Sequence, residues 1–186
     1  MRNNNKFTIL IIIYVVIYFA IDLFGRQYGL TSYDLLGVQK NLVLDYHQYY
    51  RVLTYSFAHG DIMHLAVNMI ALYSLAEPVI KFTDEKFSVI IYFAAALVSG
   101  LGIVFFSNAI AVGSSGAIYG LFGVLIYFAL KQAKYGYNQL IVNMLPIIII
   151  NLVISFMPGI SLMGHLFGLI TGLIGSYIYD KKFRYR

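Results

Sequence analysis

The sequence predicts an all-α fold, a six-transmembrane-helix bundle forming one domain over residues 1–186. Three observations carry this. Apolar residues make up 60% of the chain and charged residues 11%, where a soluble domain has about 45–50% and about 25%. Six apolar stretches follow one another, most approaching the roughly 17–25 residues that cross about 30 Å of hydrocarbon. The cations between those stretches fall mostly on one side of the bundle.

The first stretch, Phe7–Phe24, has 18 residues. A signal-peptide core has about 7–15 and is followed by a small-residue cleavage site, which is absent after Phe24. A first transmembrane helix is therefore the better assignment. The second stretch, Ile62–Ala76, is short but reaches Ile80 if Glu77 lies at the interface. Phe87–Phe106, Ser115–Leu130, Leu140–Met157 and Leu162–Ile178 complete the set.

Six crossings put both termini on one side. With the N-terminus inside, ten cations lie in inner segments (Arg2, Lys6, Lys81, Lys86, Lys131, Lys134, Lys181, Lys182, Arg184 and Arg186). Three lie outside, Arg26, Lys40 and Arg51. Positive charge stays on the cytoplasmic side, so both termini are expected in the cytoplasm of a multi-pass protein in a plasma or inner membrane. This placement also explains the net charge of +5 without nucleic acid as a partner. The lipid bilayer is the expected surrounding. The chain has no cysteine, which excludes disulfides, thiolate metal ligands and a thiol nucleophile.

The longest connection, Gly25–Ala58, carries Tyr46, Tyr49, Tyr50 and Tyr55. Tyrosine favours the headgroup layer, where its ring is buried and its hydroxyl stays wet. An interfacial structure is expected there, with His47 solvated or interfacial. The other outer connections, Ser107–Ser114 and Pro158–Ser161, are uncharged.

Three polar residues within the apolar stretches share one level. Ser115 lies about 24 Å from the inner boundary at Lys131, His165 about 22 Å from Asp180, and His64 about 20 Å from Glu77, at about 1.5 Å per helical residue. Polar groups at such depth face the bundle interior or a water-filled cavity. A serine hydroxyl needs a base to become a nucleophile, and an imidazole suits that task near neutral pH. No acidic residue lies near this level of the fourth or sixth stretch, so a Ser115–His165 dyad is expected rather than a triad. Tyr119, four residues after Ser115, shares its helix face. With no acid to do so, it either orients the His165 imidazole by stacking on it or serves plain packing.

His64 and Asn68 share a face at i, i+4. They offer a ring N–H and an amide N–H to an oxyanion, with the Ser115 backbone N–H, at a helix N-terminus, as a third donor. The alternative for Asn68 is an interhelical hydrogen bond. Gly168 and Gly172 form GxxxG, extended by Gly164, which lets backbones approach closely. Gly116, Gly120 and Gly123 are the expected opposing face on the fourth helix. A zinc site of His59, His64 and His165 is disfavoured: on a helix, His59 and His64 would point to different faces, and HExxH is absent. A transporter would need polar groups in the inner half of the helices, and none match there.

Three blocks in order resemble the rhomboid intramembrane serine proteases: His59 to Asn68, Gly113-Ser114-Ser115-Gly116, and Gly164-His165 to Gly172. The resemblance covers nearly the whole chain. It implies Ser115 as nucleophile, His165 as general base, and His64, Asn68 and the Ser115 backbone as the oxyanion hole. It implies transmembrane protein substrates and no metal or organic cofactor. It also implies a gate formed by the fifth helix and Met157-Pro158-Gly159, and a membrane-embedded first loop. A non-catalytic relative that binds transmembrane clients usually lacks the serine or the histidine; both are present here. Oligomeric state is not legible. Two departures stand out. The family often has Trp-Arg where this chain has Tyr50-Arg51, leaving Arg51 a structural role with an altered aromatic anchor. Ser114 adds a second hydroxyl beside the expected nucleophile.

Overall fold

The computed structural model describes residues 5–134, 136, 146, 150, 153, 155–156 and 159–182. Among these the secondary structure is helical, apart from one isolated bridge between Val38 and Ala111. The helices are α1 (Asn5–Tyr28), α2 (Ser32–Leu36), α3 (Lys40–Leu44), α4 (Arg51–Thr54), α5 (Ile62–Phe82), α6 (Glu85–Phe106), α7 (Ser115–Ala133) and α8 (Leu162–Lys182), with a 3₁₀ turn at Tyr55–Phe57. Five of them (α1, α5, α6, α7 and α8) are long and apolar enough to cross a membrane. The expected fifth span, Leu140–Met157, lies largely outside the described residues, as do Met157 and Pro158 of the expected gate.

Side-chain caps set where several helices begin. The Asp61 carboxylate accepts from the His64 N–H at 2.8 Å and starts α5, and Asp84 does the same for α6 through Phe87 at 2.8 Å. Such caps satisfy N–H groups that the first turn leaves without a helical partner. Thr31 and Asp34 form a reciprocal capping box on α2, and the Thr31 hydroxyl holds the Asp34 carboxyl below its usual range.

Helix α7 is central, packed on α5, α6 and α8, and most of its residues are buried. Outer helices turn apolar residues outward, such as Ile12, Val16 and Leu23 on α1 and Ile174 on α8. In water that surface would be unstable; in lipid it is the solvated face. Lipid supplies no hydrophobic drive between helices, so packing and interhelical hydrogen bonds must hold them together. The α7–α8 seam shows how. A Cβ on Gly172 would collide with the Gly120 carbonyl, one on Gly168 with the Gly116 carbonyl, and one on Gly123 with the Leu169 carbonyl.

The expected smooth face on α7 is corrected in part. Gly116 and Gly120 present their hydrogens to Ser99 and Ala95 of α6 and their carbonyls to α8. Helix α7 is therefore pinched from two sides, because successive glycines along a helix do not all point at one neighbour. Ser99 ties the remaining pair, donating to the Gly164 carbonyl at 2.7 Å.

The Gly25–Ala58 connection is a folded structure, as expected. Arg51, 5% exposed, donates to the carbonyls of Gly37 and Asp34, each at 2.8 Å, and to Gln48. Its fork satisfies backbone carbonyls of a short irregular segment, the structural role expected for it. Tyr46, Tyr49 and Tyr50 are exposed, with Tyr50 below the Arg51 guanidinium. Tyr55 departs from the interfacial expectation. It is buried and its hydroxyl donates to the Ala96 carbonyl at 3.0 Å.

At the other end of the bundle, Lys131 pairs with Asp180 and Lys6 with Glu85. Gly172→Ala should lower unfolding stability in detergent by about 1–3 kcal/mol, because the added methyl forces the α7–α8 seam apart. Ile174→Ala, on the outward side of the same helix, should change it by less than about 0.5 kcal/mol. Equal effects would contradict the seam.

Candidate active site

The opening of α7 carries the site. Val38 and Ala111 exchange backbone hydrogen bonds at 2.9 and 3.0 Å, and the Gly113 N–H donates to the Tyr55 carbonyl at 3.0 Å. These bonds clamp the strand-like approach to α7 against the folded first connection. Gly113 has φ +116°, a conformation L side chains rarely adopt. Its bare Cα leaves room for the His64 ring, which a Cβ would strike at 2.7 Å. Ser115 is the first residue of α7, so its N–H has no partner within the helix.

Ser115 and His165 meet. His165 Nε2 lies 2.9 Å from Ser115 Oγ across the α7–α8 seam. His165 is 5% exposed and Ser115 half-buried. The Tyr119 ring lies on the His165 ring with centroids 4.0 Å apart and planes 12° from parallel. Of the two uses expected for Tyr119, stacking is the one found.

Ser114 turns the other way. It is fully buried, with its hydroxyl 3.5 Å from His59 Nε2. His59 precedes the cap of α5 rather than lying on the helix. The separation of faces expected for His59 and His64 is therefore incorrect, and their rings meet edge to face at 5.0 Å. Burial, followed by the neighbouring His64, pushes the His59 imidazole down to about 3. His59 thus stays neutral, and its ring also packs edge-on against Tyr14. His47 is exposed and shares a hydrogen bond with the Tyr49 hydroxyl at 2.9 Å.

A cavity of about 520 Å³ is lined by Ser115, His165, Tyr119, His64, Asn68 and Gly159 among others. Asn68 is buried, and one hydrogen of its amide goes to the His64 carbonyl at 2.8 Å. An amide has two such hydrogens, and Asn68 is part of the cavity lining. Asp61 also lines the cavity, but its carboxylate is spent on capping α5. The residues brought together are thus an alcohol, an imidazole and several N–H donors around one cavity between apolar helices. That set fits acyl transfer.

One neighbour was not legible beforehand. Ser155 Oγ lies 2.7 Å from His165 Nδ1 and 2.7 Å from the Tyr119 hydroxyl. It is a lone hydroxyl near the end of an apolar stretch, and no spacing rule ties it to α7 or α8.

A family model described as the Rhomboid domain matches residues 46–182. The chain belongs to the rhomboid family. It is 31% identical to rhomboid protease GluP of Bacillus subtilis over 163 residues, covering 87% of this chain and 32% of that protein. It is 26% identical to RHOMBOID-like protein 4 of Arabidopsis thaliana over 157 residues, 81% of this chain and 39% of the relative. It is 30% identical to rhomboid-type serine protease 2 of Eremothecium gossypii over 137 residues, 67% of this chain and 51% of the relative. The chain thus spans about a third to a half of these relatives.

In this rhomboid, Gly113→Ala should displace the His64 ring. Histidine-selective NMR in micelles should show the His64 resonances shifted and those of exposed His47 unchanged. An unmoved His64 would mean that its ring does not rest on Gly113.

Proposed function

We propose that this chain is an intramembrane serine endopeptidase that cleaves transmembrane segments of other membrane proteins through a Ser115–His165 dyad. The observation that carries it is the 2.9 Å contact between His165 Nε2 and Ser115 Oγ beside a cavity that Asn68 and His64 also line. The names of two relatives, a rhomboid protease and a rhomboid-type serine protease, support the same reading.

The chemistry follows from the groups present. His165 Nε2 takes the Ser115 proton as Oγ bonds to the scissile carbonyl carbon. The carbonyl oxygen becomes an oxyanion, which accepts hydrogen bonds from the Ser115 N–H, the second Asn68 amide hydrogen and the His64 ring. Aimed donors of this kind are worth about 10²–10³ in turnover each. The intermediate collapses, the C–N bond breaks, and His165 returns the proton to the departing amine. A water molecule then gives its proton to His165 and attacks the acyl-serine, releasing the carboxylate and restoring Ser115. These steps balance with no metal or organic cofactor.

The cavity must admit water while its surroundings are lipid, which is why the polar groups gather at one depth. The substrate arrives as a helix whose own backbone bonds are satisfied; local unwinding at small or helix-breaking residues would free a carbonyl for attack. The cation distribution, ten inside against three outside, supports cytoplasmic termini and a site near the outer face of a plasma or inner membrane.

Ser115→Ala should lower cleavage of a model transmembrane substrate in liposomes by at least about 10³-fold and abolish labelling by a fluorophosphonate. Ser114→Ala should keep both, since that hydroxyl faces His59. Full activity in Ser115→Ala would refute the assignment.

A further inference from the structure

His165 has a second ring nitrogen, and its partner decides what the first can do. A neutral imidazole carries one N–H, and the hydrogen bond at one nitrogen fixes the state of the other. For Nε2 to accept the Ser115 proton it must be bare, so Nδ1 must hold the hydrogen and needs an acceptor. The partner placed there is the Ser155 hydroxyl at 2.7 Å. Ser155 is 2% exposed, so water does not readily take its place. Its oxygen lies equally close to the Tyr119 hydroxyl, whose ring covers one face of the imidazole. The ring of His165 is therefore held at both nitrogens and across one face.

We propose that Ser155 is the positioning residue for His165. Its Oγ accepts Nδ1–H, its own O–H passes to the Tyr119 oxygen, and the Nε2 lone pair is left on Ser115. An alcohol can do this because it accepts and donates at once. When Nε2 takes the Ser115 proton, both nitrogens become donors, and Ser155 is already oriented to accept from Nδ1. The relay thus needs no rearrangement during the step.

The choice of a hydroxyl suits the setting. A carboxylate at this place would have to be stripped of water within lipid, at a cost that its attraction to the imidazolium need not recover. A neutral acceptor orients the ring without that penalty. The opposite arrangement, with Ser155 donating to a bare Nδ1, has the same heavy-atom distances but puts the hydrogen on Nε2, where it blocks base catalysis. The tautomer therefore decides the matter.

This inference rests on the dyad reading, and two arms separate their failures. In the first, the full chain with ¹⁵N-histidine is examined in micelles, and His165 is assigned by comparison with His165→Gln. Wild type should show a protonated Nδ1 and a bare Nε2, and Ser155→Ala should move population toward the Nε2–H form. In the second, cleavage kinetics are compared for wild type, Ser155→Ala and Ser155→Thr. Ser155→Ala should lower kcat by about 10- to 100-fold, the weight of one hydrogen bond to a group that gains charge. KM should stay within about twofold, and Ser155→Thr, which keeps the hydroxyl, should recover most of kcat.

A wild-type His165 protonated at Nε2 would overturn the proposal. So would a Ser155→Ala variant with unchanged tautomer and kcat. A wild type that shows no Ser115-dependent cleavage defeats the dyad reading instead, and the tautomer arm still tests the contact. Should Ser155→Ala fail to fold, the wild-type tautomer and the kcat of Ser155→Thr decide the outcome: a Thr variant as slow as background also overturns it.

Discussion

The backbone of α8 touches the backbone of α7 where Gly168 and Gly172 meet the carbonyls of Gly116 and Gly120. That contact sets the reach of every side chain along the seam. One turn from Gly168 lies His165, and one residue before Gly116 lies Ser115. Ordinary side chains at the seam would separate the two helix axes and lengthen a 2.9 Å hydrogen bond beyond proton-transfer range. In lipid this closeness cannot come from the hydrophobic effect, so small residues and interhelical hydrogen bonds such as Ser99 to Gly164 must supply it.

A second constraint is the price of polarity at depth. The site gathers three serines, three histidines, an asparagine and a tyrosine, yet each described contact there is with another neutral group. Asp61 is the exception, and it is spent on the N-terminus of α5, where a carboxylate is stabilised by the helix dipole. The strongly ionic pairs lie at the opposite end of the bundle, at Lys131–Asp180 and Lys6–Glu85. On the same side as the site, Arg51 uses its charge on backbone carbonyls and so stiffens the first connection, against which the entrance to α7 is clamped.

Much of this was legible in the sequence, because helix periodicity converts spacing into direction. Ser115 and Tyr119 share a face at i, i+4, and the same rule joins His64 to Asn68. Counting residues from the charged ends put Ser115, His165 and His64 at one level, and two of them touch. What escaped had no local period. Ser155 reaches the imidazole from a turn. Tyr55 looked interfacial by composition, but it is drawn inward by the Ala96 carbonyl. His59 precedes His64 by five residues with nothing to mark it as outside a helix, although the cap at Asp61 starts α5 after it. The glycines of α7 suggest one face in the sequence, because spacing alone does not say which of two neighbours each one meets.

A peptidyl chloromethyl ketone offers the most direct measurement. It carries two electrophilic carbons one bond apart, and only an alcohol and an imidazole in mutual contact can take both. Peptide mapping by mass spectrometry after reaction with the intact chain should find His165 alkylated with loss of chloride, since the hemiketal to Ser115 reverts to ketone and alcohol on unfolding, and Ser115→Ala should lose most of that alkylation. Alkylation of His64 in place of His165, or His165 alkylation equally fast in Ser115→Ala, would contradict a shared proton between those two side chains.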